Sequence, residues 1–270
     1  MTAFAVDTEE QARFIQARNY LIWRKRLLPV AAVIGLVVLW WAAVNFFGVR
    51  PFIAPSPDAV AAMLWRRLDV LMANLMPTAI EAVLGFLIGN GAAIATATVF
   101  VHRKTLAEAF FPIAVMINTI PVVAKAPILV LLLGNGMEPK IAIAALIVFF
   151  PTLVNMVRGL EAVNPQALEL MRVLSASKRE VFWKLRLYNS LPYLFSALKI
   201  AASTAVIGAI VGEWIGSNEG IGALIIQATY AFDTPLLYAT IIVGSTFSAC
   251  FFFIISAIER FVIRWDSSAH

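Results

Sequence analysis

The chain has 270 residues, 61% of them hydrophobic and only 14% charged, with a net charge of +5 and a mean hydropathy of +0.86. That composition excludes a soluble globular domain and points to a chain solvated largely by lipid. A single cysteine, Cys250 in an apolar run, excludes a disulfide framework, and His102 and His270 stand in no metal-ligand spacing.

Residues 1–26 are polar and end in a basic cluster, Arg13, Arg18, Arg24, Lys25 and Arg26. The apolar run that follows, about 27–47, is long enough to cross a bilayer and lacks a small-residue cleavage site. It is expected as an uncleaved first span, with Trp23, Trp40 and Trp41 at interfaces or packed on other helices. Three prolines make residues 48–58 an extended loop, and Pro57 to Arg67 then suggests a short amphipathic helix on the outer surface. Further spans are expected at about 76–100, 106–133, 141–157, 194–213 and 237–258, giving one permease-type domain over 27–265. The second carries Gly85-x-x-x-Gly89 and the fifth Gly208-x-x-x-Gly212-x-x-x-Gly216, small-residue faces for close helix packing. Pro112, Pro121 and Pro127 interrupt the third, and residues 214–235 form a Gly-rich, acidic connection.

Positive charge sets the orientation. With the N-terminus in the cytoplasm and six crossings, fifteen Lys and Arg fall on the cytoplasmic side. Four, Arg50, Arg66, Arg67 and Lys140, fall outside, and Lys125 and Lys199 lie within spans. Both termini and the loop 158–192 are therefore expected in the cytoplasm. The charge is explained by topology, without nucleic acid.

That loop is the longest charged interruption in the second half, with nine charged residues in 35. Asn164 before Pro165 is a helix start, and Ser177 with Glu180 has the capping-box spacing. Two short capped helices thus sit between spans, with Leu168, Met171 and Leu174 on one face of the first.

Two ionisable residues stand at membrane depth. Lys125 lies between prolines in an apolar span, where an unpaired charge costs roughly 2.5–3.5 kcal/mol and so tends to face a cavity or a partner. Glu81 is about five residues from the outer start of its span and Lys125 about eight from the outer end of its own, within roughly 5 Å of one depth at about 1.5 Å per residue. Three outcomes stand open: they meet beside a translocation path with Pro121 and Pro127, they form a structural pair, or they do not touch. Lys199, one to two turns from the cytoplasmic end, is expected to snorkel to headgroups. Glu213-Trp214 ends the fifth span. It suggests an outer gate or docking point, or simply a surface carboxylate beside an interfacial Trp.

The loop resembles the EAA loop of permease subunits of type I ATP-binding-cassette (ABC) importers. Glu169 holds the Glu position, Leu170 and Met171 the two Ala, Ser175 the Gly and Leu191-Pro192 the closing Leu-Pro. The bulkier pair, Ser for Gly, and Tyr188 in place of a common Pro are departures. Ile120-Pro121, Ala126-Pro127, Gly134-x-Gly136, Pro139-Lys140-Ile141 and Phe149-Phe150-Pro151 resemble the nitrate, sulfonate and taurine branch, as do Gly212-Glu213-Trp214 and Gly220-x-Gly222, so the likeness covers about 50–260.

The resemblance implies an all-α, six-span polytopic fold of the MetI-like type, in the cytoplasmic (inner) membrane of a bacterium. It implies a homodimer, two cytoplasmic ATPase subunits that carry ATP and Mg, and an extracytoplasmic solute-binding protein. Glu169, Leu170, Met171, Arg172, Leu174, Ser175 and Ser177 are the expected ATPase-coupling residues. The chain itself would bind no cofactor and catalyse no covalent step, and no P-loop occurs in it. Anion-transporting relatives often carry Ser-x-x-Arg where this chain has Pro77-Thr78-Ala79-Ile80-Glu81, which is similar to members linked to vitamin or pyrimidine-precursor uptake. An acidic residue beside the path disfavours an anion, while Lys125 pulls the other way. A nitrogen-containing organic solute is favoured over a sulfonate, taurine or nitrate-type anion. An ion-gradient-driven transporter is the alternative, but it calls for internal repeats and paired intramembrane acids. A membrane-embedded enzyme would need a catalytic set at membrane depth.

Overall fold

The computed structural model describes residues 8–50 and 52–263, and among helical residues 8–19, 21, 22 and 26 it describes the backbone alone. The N-terminal seven residues, the side chains of Arg13, Arg18 and Arg26, Arg264 and His270 therefore lie outside the description.

The described residues are helical throughout, with short connections. α1 (Thr8–Phe46) is continuous through Pro29. α2 (Pro57–Arg66) is the short surface helix, followed by α3 (Leu68–His102), α4 (Lys104–Thr119), α5 (Val122–Leu133) and α6 (Glu138–Glu161). The charged loop contains α7 (Pro165–Val173) and α8 (Lys178–Val181), which runs through a π-helical turn at 182–186 into α9 (Leu187–Glu213). α10 (Ile221–Tyr230) and α11 (Thr234–Val262) complete the chain. Five helices are long and apolar enough to cross a membrane, six if α4 and α5 count as one bent crossing. Large apolar side chains on their outer faces, Leu131 at 86% for example, stand exposed as a lipid-facing or partner-facing surface requires.

The third span is broken, as its prolines imply, but at one place only: α4 and α5 meet at a bend of 100°. The break falls at Ile120-Pro121, where both backbones leave the helical region, whereas Pro112 and Pro127 are absorbed inside their helices. The connection at 214–235 also contains a helix, α10. Ile221, Leu224 and Ala228 repeat at helical spacing and bury against α11 with Val60 of α2 and Leu71 of α3.

α6 is the centre of the bundle, clasped between α3 and α9. The close approach is made by missing side chains. A Cβ on Gly85 would strike Ala144, and one on Gly89 would strike the carbonyl of Ala145. From α9 a Cβ on Gly208 would lie 2.8 Å from Ala144 Cα, and one on Gly212 3.1 Å from Lys140 Cα. Gly85 and Gly89 of α3 and Gly208 and Gly212 of α9 therefore bring both helices close against the backbone of α6, whereas Gly216, expected on the same packing face, lies beyond the end of α9 at φ +82 and takes no part. Gly208→Leu is expected to cost at least about 1–3 kcal/mol by overpacking. Gly91→Ala, where nothing lies within 4 Å, should be neutral. Thermal unfolding in detergent checks both, and an unshifted midpoint for Gly208→Leu would contradict this packing.

α1 stands apart. It touches the rest mainly through α2 and through Trp40, stacked on Tyr238 of α11 at 5.7 Å.

Candidate functional site

The helix ends carry the polar chemistry. At the base of the charged loop, α6 ends with carbonyls that its own helix cannot pair. Arg186 Nη1 donates to Leu160 O at 2.9 Å, and Asn189 Nδ2 donates to Ala162 O at 2.8 Å and Gly159 O at 3.3 Å. Gly159 lets α9 come close, since a Cβ there would lie 2.8 Å from Tyr193 Cβ. The loop is thus clamped to the bundle at its root.

Beyond that root the chain builds a stiff elbow. Asn164 Oδ1 accepts from Gln166 N–H at 2.9 Å and starts α7. α7 ends in a Schellman motif: Ala176 N–H donates to Met171 O and Ser175 N–H to Arg172 O, both at 2.9 Å. Ser175 takes the left-handed conformation at φ +53, so the bend survives the absence of glycine. Then Ser177 and Glu180 close a reciprocal capping box. Ser177 N–H donates to Glu180 Oε2 at 3.0 Å, and Glu180 N–H donates to Ser177 Oγ at 3.3 Å. These bonds, chiefly the Ser177 backbone N–H, and Lys184 at 3.2 Å hold the Glu180 carboxyl down at about 2.

The predicted coupling residues do not share one face. Leu168 and Met171 turn partly inward, while Glu169, Leu170, Val173 and Leu174 are exposed. Leu170 is 59% and Val173 81% exposed, an unpartnered apolar surface on a short helix. Val173 was not singled out from sequence. Arg172 lines a cleft toward the end of α3.

At the opposite end lies a buried polar cluster that joins four helices. Glu213, the last residue of α9, is 1% exposed, which overturns the surface-carboxylate reading. Its Oε1 accepts from Thr78 Oγ1 of α3 and its Oε2 from Gly222 N–H of α10, both at 2.5 Å. Ile221 N–H donates to Thr78 Oγ1 at 2.8 Å, and Gly220 N–H to Asn74 Oδ1 at 3.0 Å. Gly220, at φ +109, leaves the space that the Glu213 carboxylate occupies. Trp214 caps α9, partly exposed.

Glu81 lies beside this carboxylate, fully buried, with both oxygens lacking a well-formed hydrogen bond. Its ion pair is with Lys140 of α6, Nζ to Oε1 at 3.4 Å, and not with Lys125. Equal depth along two helices does not fix the faces they present to each other. α6 begins at the same end and turns Lys140 into the bundle, where its ammonium also donates to Ser217 Oγ at 2.8 Å. Lys140, counted from sequence as an outer loop charge, is only 8% exposed. Its position between Gly212 and Glu81 was not visible without the helix packing.

Lys125 is placed elsewhere, in the wall of a cavity of about 300 Å³ with Asn118, Thr96, Phe110, Phe149 and Phe150. Among the described residues it has no ion-pair partner. Pro121 sits at the bend and Pro127 one turn into α5, so the broken helix passes along this cavity. Lys199, expected to snorkel, instead pairs with Glu259 of α11 at 2.7 Å.

The chain resembles known proteins in the same terms. It is 36% identical to a probable ABC transporter permease protein of Haemophilus influenzae, over 88% of this chain and 98% of the relative. It is 31% identical to the riboflavin transport system permease protein of Chloroflexus aurantiacus, over 91% and 92%. It is 32% identical to the formylaminopyrimidine transport permease protein of Halalkalibacterium halodurans, over 88% and 96%. A chain of the inward-facing MetNI methionine ABC transporter superposes with a TM-score of 0.58 at 21% identity, over 74% of this chain and 98% of that one, which shows a shared fold. The family model described as binding-protein-dependent transport system inner membrane component matches residues 85–264, from the glycines of α3 to the end of α11. The clamped elbow, the clasped α6 and the multi-pass bundle therefore belong to a member of that family, a membrane-spanning permease subunit of an ABC importer.

Proposed function

We propose that this permease works as a homodimer driven by two cytoplasmic ABC ATPase subunits, with ATP and Mg held by the ATPases. A solute-binding protein delivers cargo at the Glu213 end. The observation that carries this reading is the elbow at α7 and α8, capped at both starts, clamped at its root and bearing exposed Leu170, Val173 and Leu174 beside Glu169. A stiff element with an unpartnered apolar face passes a rigid-body shift to the helices behind it, here α6 and α9. Both termini and the elbow lie in the cytoplasm on this reading, which the fifteen-to-four charge split supports. Solute passes between the two copies, with Lys125, Pro121 and Pro127 beside the path. The Glu213–Glu81–Lys140 cluster fixes the outer ends of α3, α6, α9 and α10 as one gate, with Trp214 at its rim facing the binding protein.

For cargo we propose a neutral or cationic nitrogen heterocycle, a vitamin or pyrimidine precursor, in preference to a sulfonate-type anion. Relatives named for riboflavin and formylaminopyrimidine, at 31% and 32% identity, stand nearer than the sulfonate permease of Bacillus subtilis at 26%. Nothing among the relatives supports an ion-gradient transporter.

Co-expression with a partner ABC ATPase tests the assembly. A complex of two permeases and two ATPases should purify together, and its ATP turnover should rise when the loaded binding protein is added. A chain that purifies alone and transports on an ion gradient would refute it. Calorimetry of the binding protein against a pyrimidine precursor, riboflavin and taurine decides the cargo.

A further inference from the structure

We propose that the cleft between the end of α3 and the elbow is a binding site for the phosphate headgroup of an anionic bilayer phospholipid. The cleft encloses about 430 Å³. Arg172 of α7, Lys178 of α8, Arg186 of the π-helical turn and His102 of α3 line it, so four elements bring basic or imidazole side chains to one recess, with His102 Nδ1 bonded to Thr98 O at 2.8 Å. No carboxylate lines it. The nearest acid on the elbow by sequence, Glu180, is already occupied by Ser177 and Lys184. Ordinary loop charges disperse into water and find opposite partners. Here Arg172 and Lys178 have no ion-pair partner among the described residues, and Arg186 commits one of its five donors to Leu160 O.

The floor decides which phosphate. Val101, Leu168, Val181 and Phe182 make it apolar, and Phe182 packs against the His102 ring at 4.9 Å. His102 is also the last residue of α3, so the cleft lies where an apolar, membrane-length helix meets the charged elbow. A free phosphate ion gains nothing from an apolar floor, whereas a phospholipid lays its first methylenes on it and its phosphate among the three cations. Such a lipid bridges α3 to the elbow and steadies α7 with Leu170 and Val173 outward. That consequence for ATPase coupling rests on the importer reading above; the lipid site itself does not.

The test uses the full chain, stripped of lipid in detergent and exposed to mixed micelles of phosphatidylcholine and phosphatidylglycerol. Native mass spectrometry counts the retained lipid. Wild type should retain phosphatidylglycerol over phosphatidylcholine. Arg172→Gln with Lys178→Gln, both exposed positions that fold does not depend on, should weaken retention about 20–30-fold. Lys184→Gln, whose ammonium pairs with Glu180 outside the cleft, should retain lipid as wild type does. Equal retention by the double variant and wild type overturns the site. Displacement of the lipid by millimolar inorganic phosphate alone overturns the lipid as its occupant. Because retention is read on the isolated permease, a chain that holds the lipid but recruits no ATPase would sink the importer reading and leave this one standing.

Discussion

Lys140→Met should destabilise the protein by about 3–5 kcal/mol, the cost of leaving a buried carboxylate without its counter-charge. Glu81 is fully buried, its oxygens have no other well-formed partner, and its neighbour across the cluster is another carboxyl, Glu213. Removing the ammonium leaves two acids facing each other and strips Ser217 of a donor. The double variant Glu81→Leu with Lys140→Met should recover most of the loss, since an apolar pair of similar volume needs no compensation. Thermal unfolding in detergent gives both numbers. If Lys140→Met unfolds at the wild-type temperature, the cluster is not what holds α3, α6 and α9 together at that end. Thr78 and Glu213 form the same knot, so variants there should not add independently to Lys140→Met.

Placing charge on the outward face of α7 should have the opposite signature. Leu170→Asp or Val173→Asp should leave unfolding within about 0.5 kcal/mol of wild type, because neither side chain is packed in the permease itself. Each should weaken ATPase recruitment by about 30-fold or more, the scale for burying a charge at the centre of an interface. Solute uptake should fall with it. Pull-down of the ATPase and uptake into proteoliposomes measure the two effects. Normal recruitment by both variants would mean that the exposed apolar face has some other purpose.

These predictions come from opposite ends of what a sequence makes readable. The elbow was legible because its signals are local. Asn164-Pro165 and Ser177 with Glu180 act within four residues, so hydrogen bonds in space follow spacing along the chain. Even the departure at Ser175 resolved locally, since the Schellman bonds to Met171 and Arg172 hold the left-handed turn that glycine would otherwise supply. The glycine motifs were legible as packing devices, though not as two contacts on one helix. Which side of α7 would face out was not legible, because Leu168 and Leu174 share a helical stripe but only the end of α3 decides which is covered.

The partners in the polar cluster were not legible for the same reason. Depth alone placed Glu81 and Lys125 at one level and left open whether they meet. Depth is one coordinate, and rotation about the helix axis, which the positions of Gly85 and Gly208 against α6 impose, is the other. That rotation brings in Lys140, 59 residues from Glu81 along the chain and classed as a loop charge. The bend at Pro121 likewise removed Lys125 from the line assumed for it and set it in a cavity among Phe110, Phe149 and Phe150.

The amino-acid order by itself determined that the chain lives in a bilayer, which segments are apolar enough to cross it and where a capped elbow leaves it, because hydropathy, charge placement and capping act over one to twenty neighbouring residues. Only the tertiary structure decided which buried charges meet, that Glu213 is sealed within the bundle, and that Arg172, Lys178 and Arg186 line one cleft with His102. Those outcomes depend on how helices far apart in sequence are turned against one another, and that is fixed by the close backbone contacts of α3 and α9 with α6.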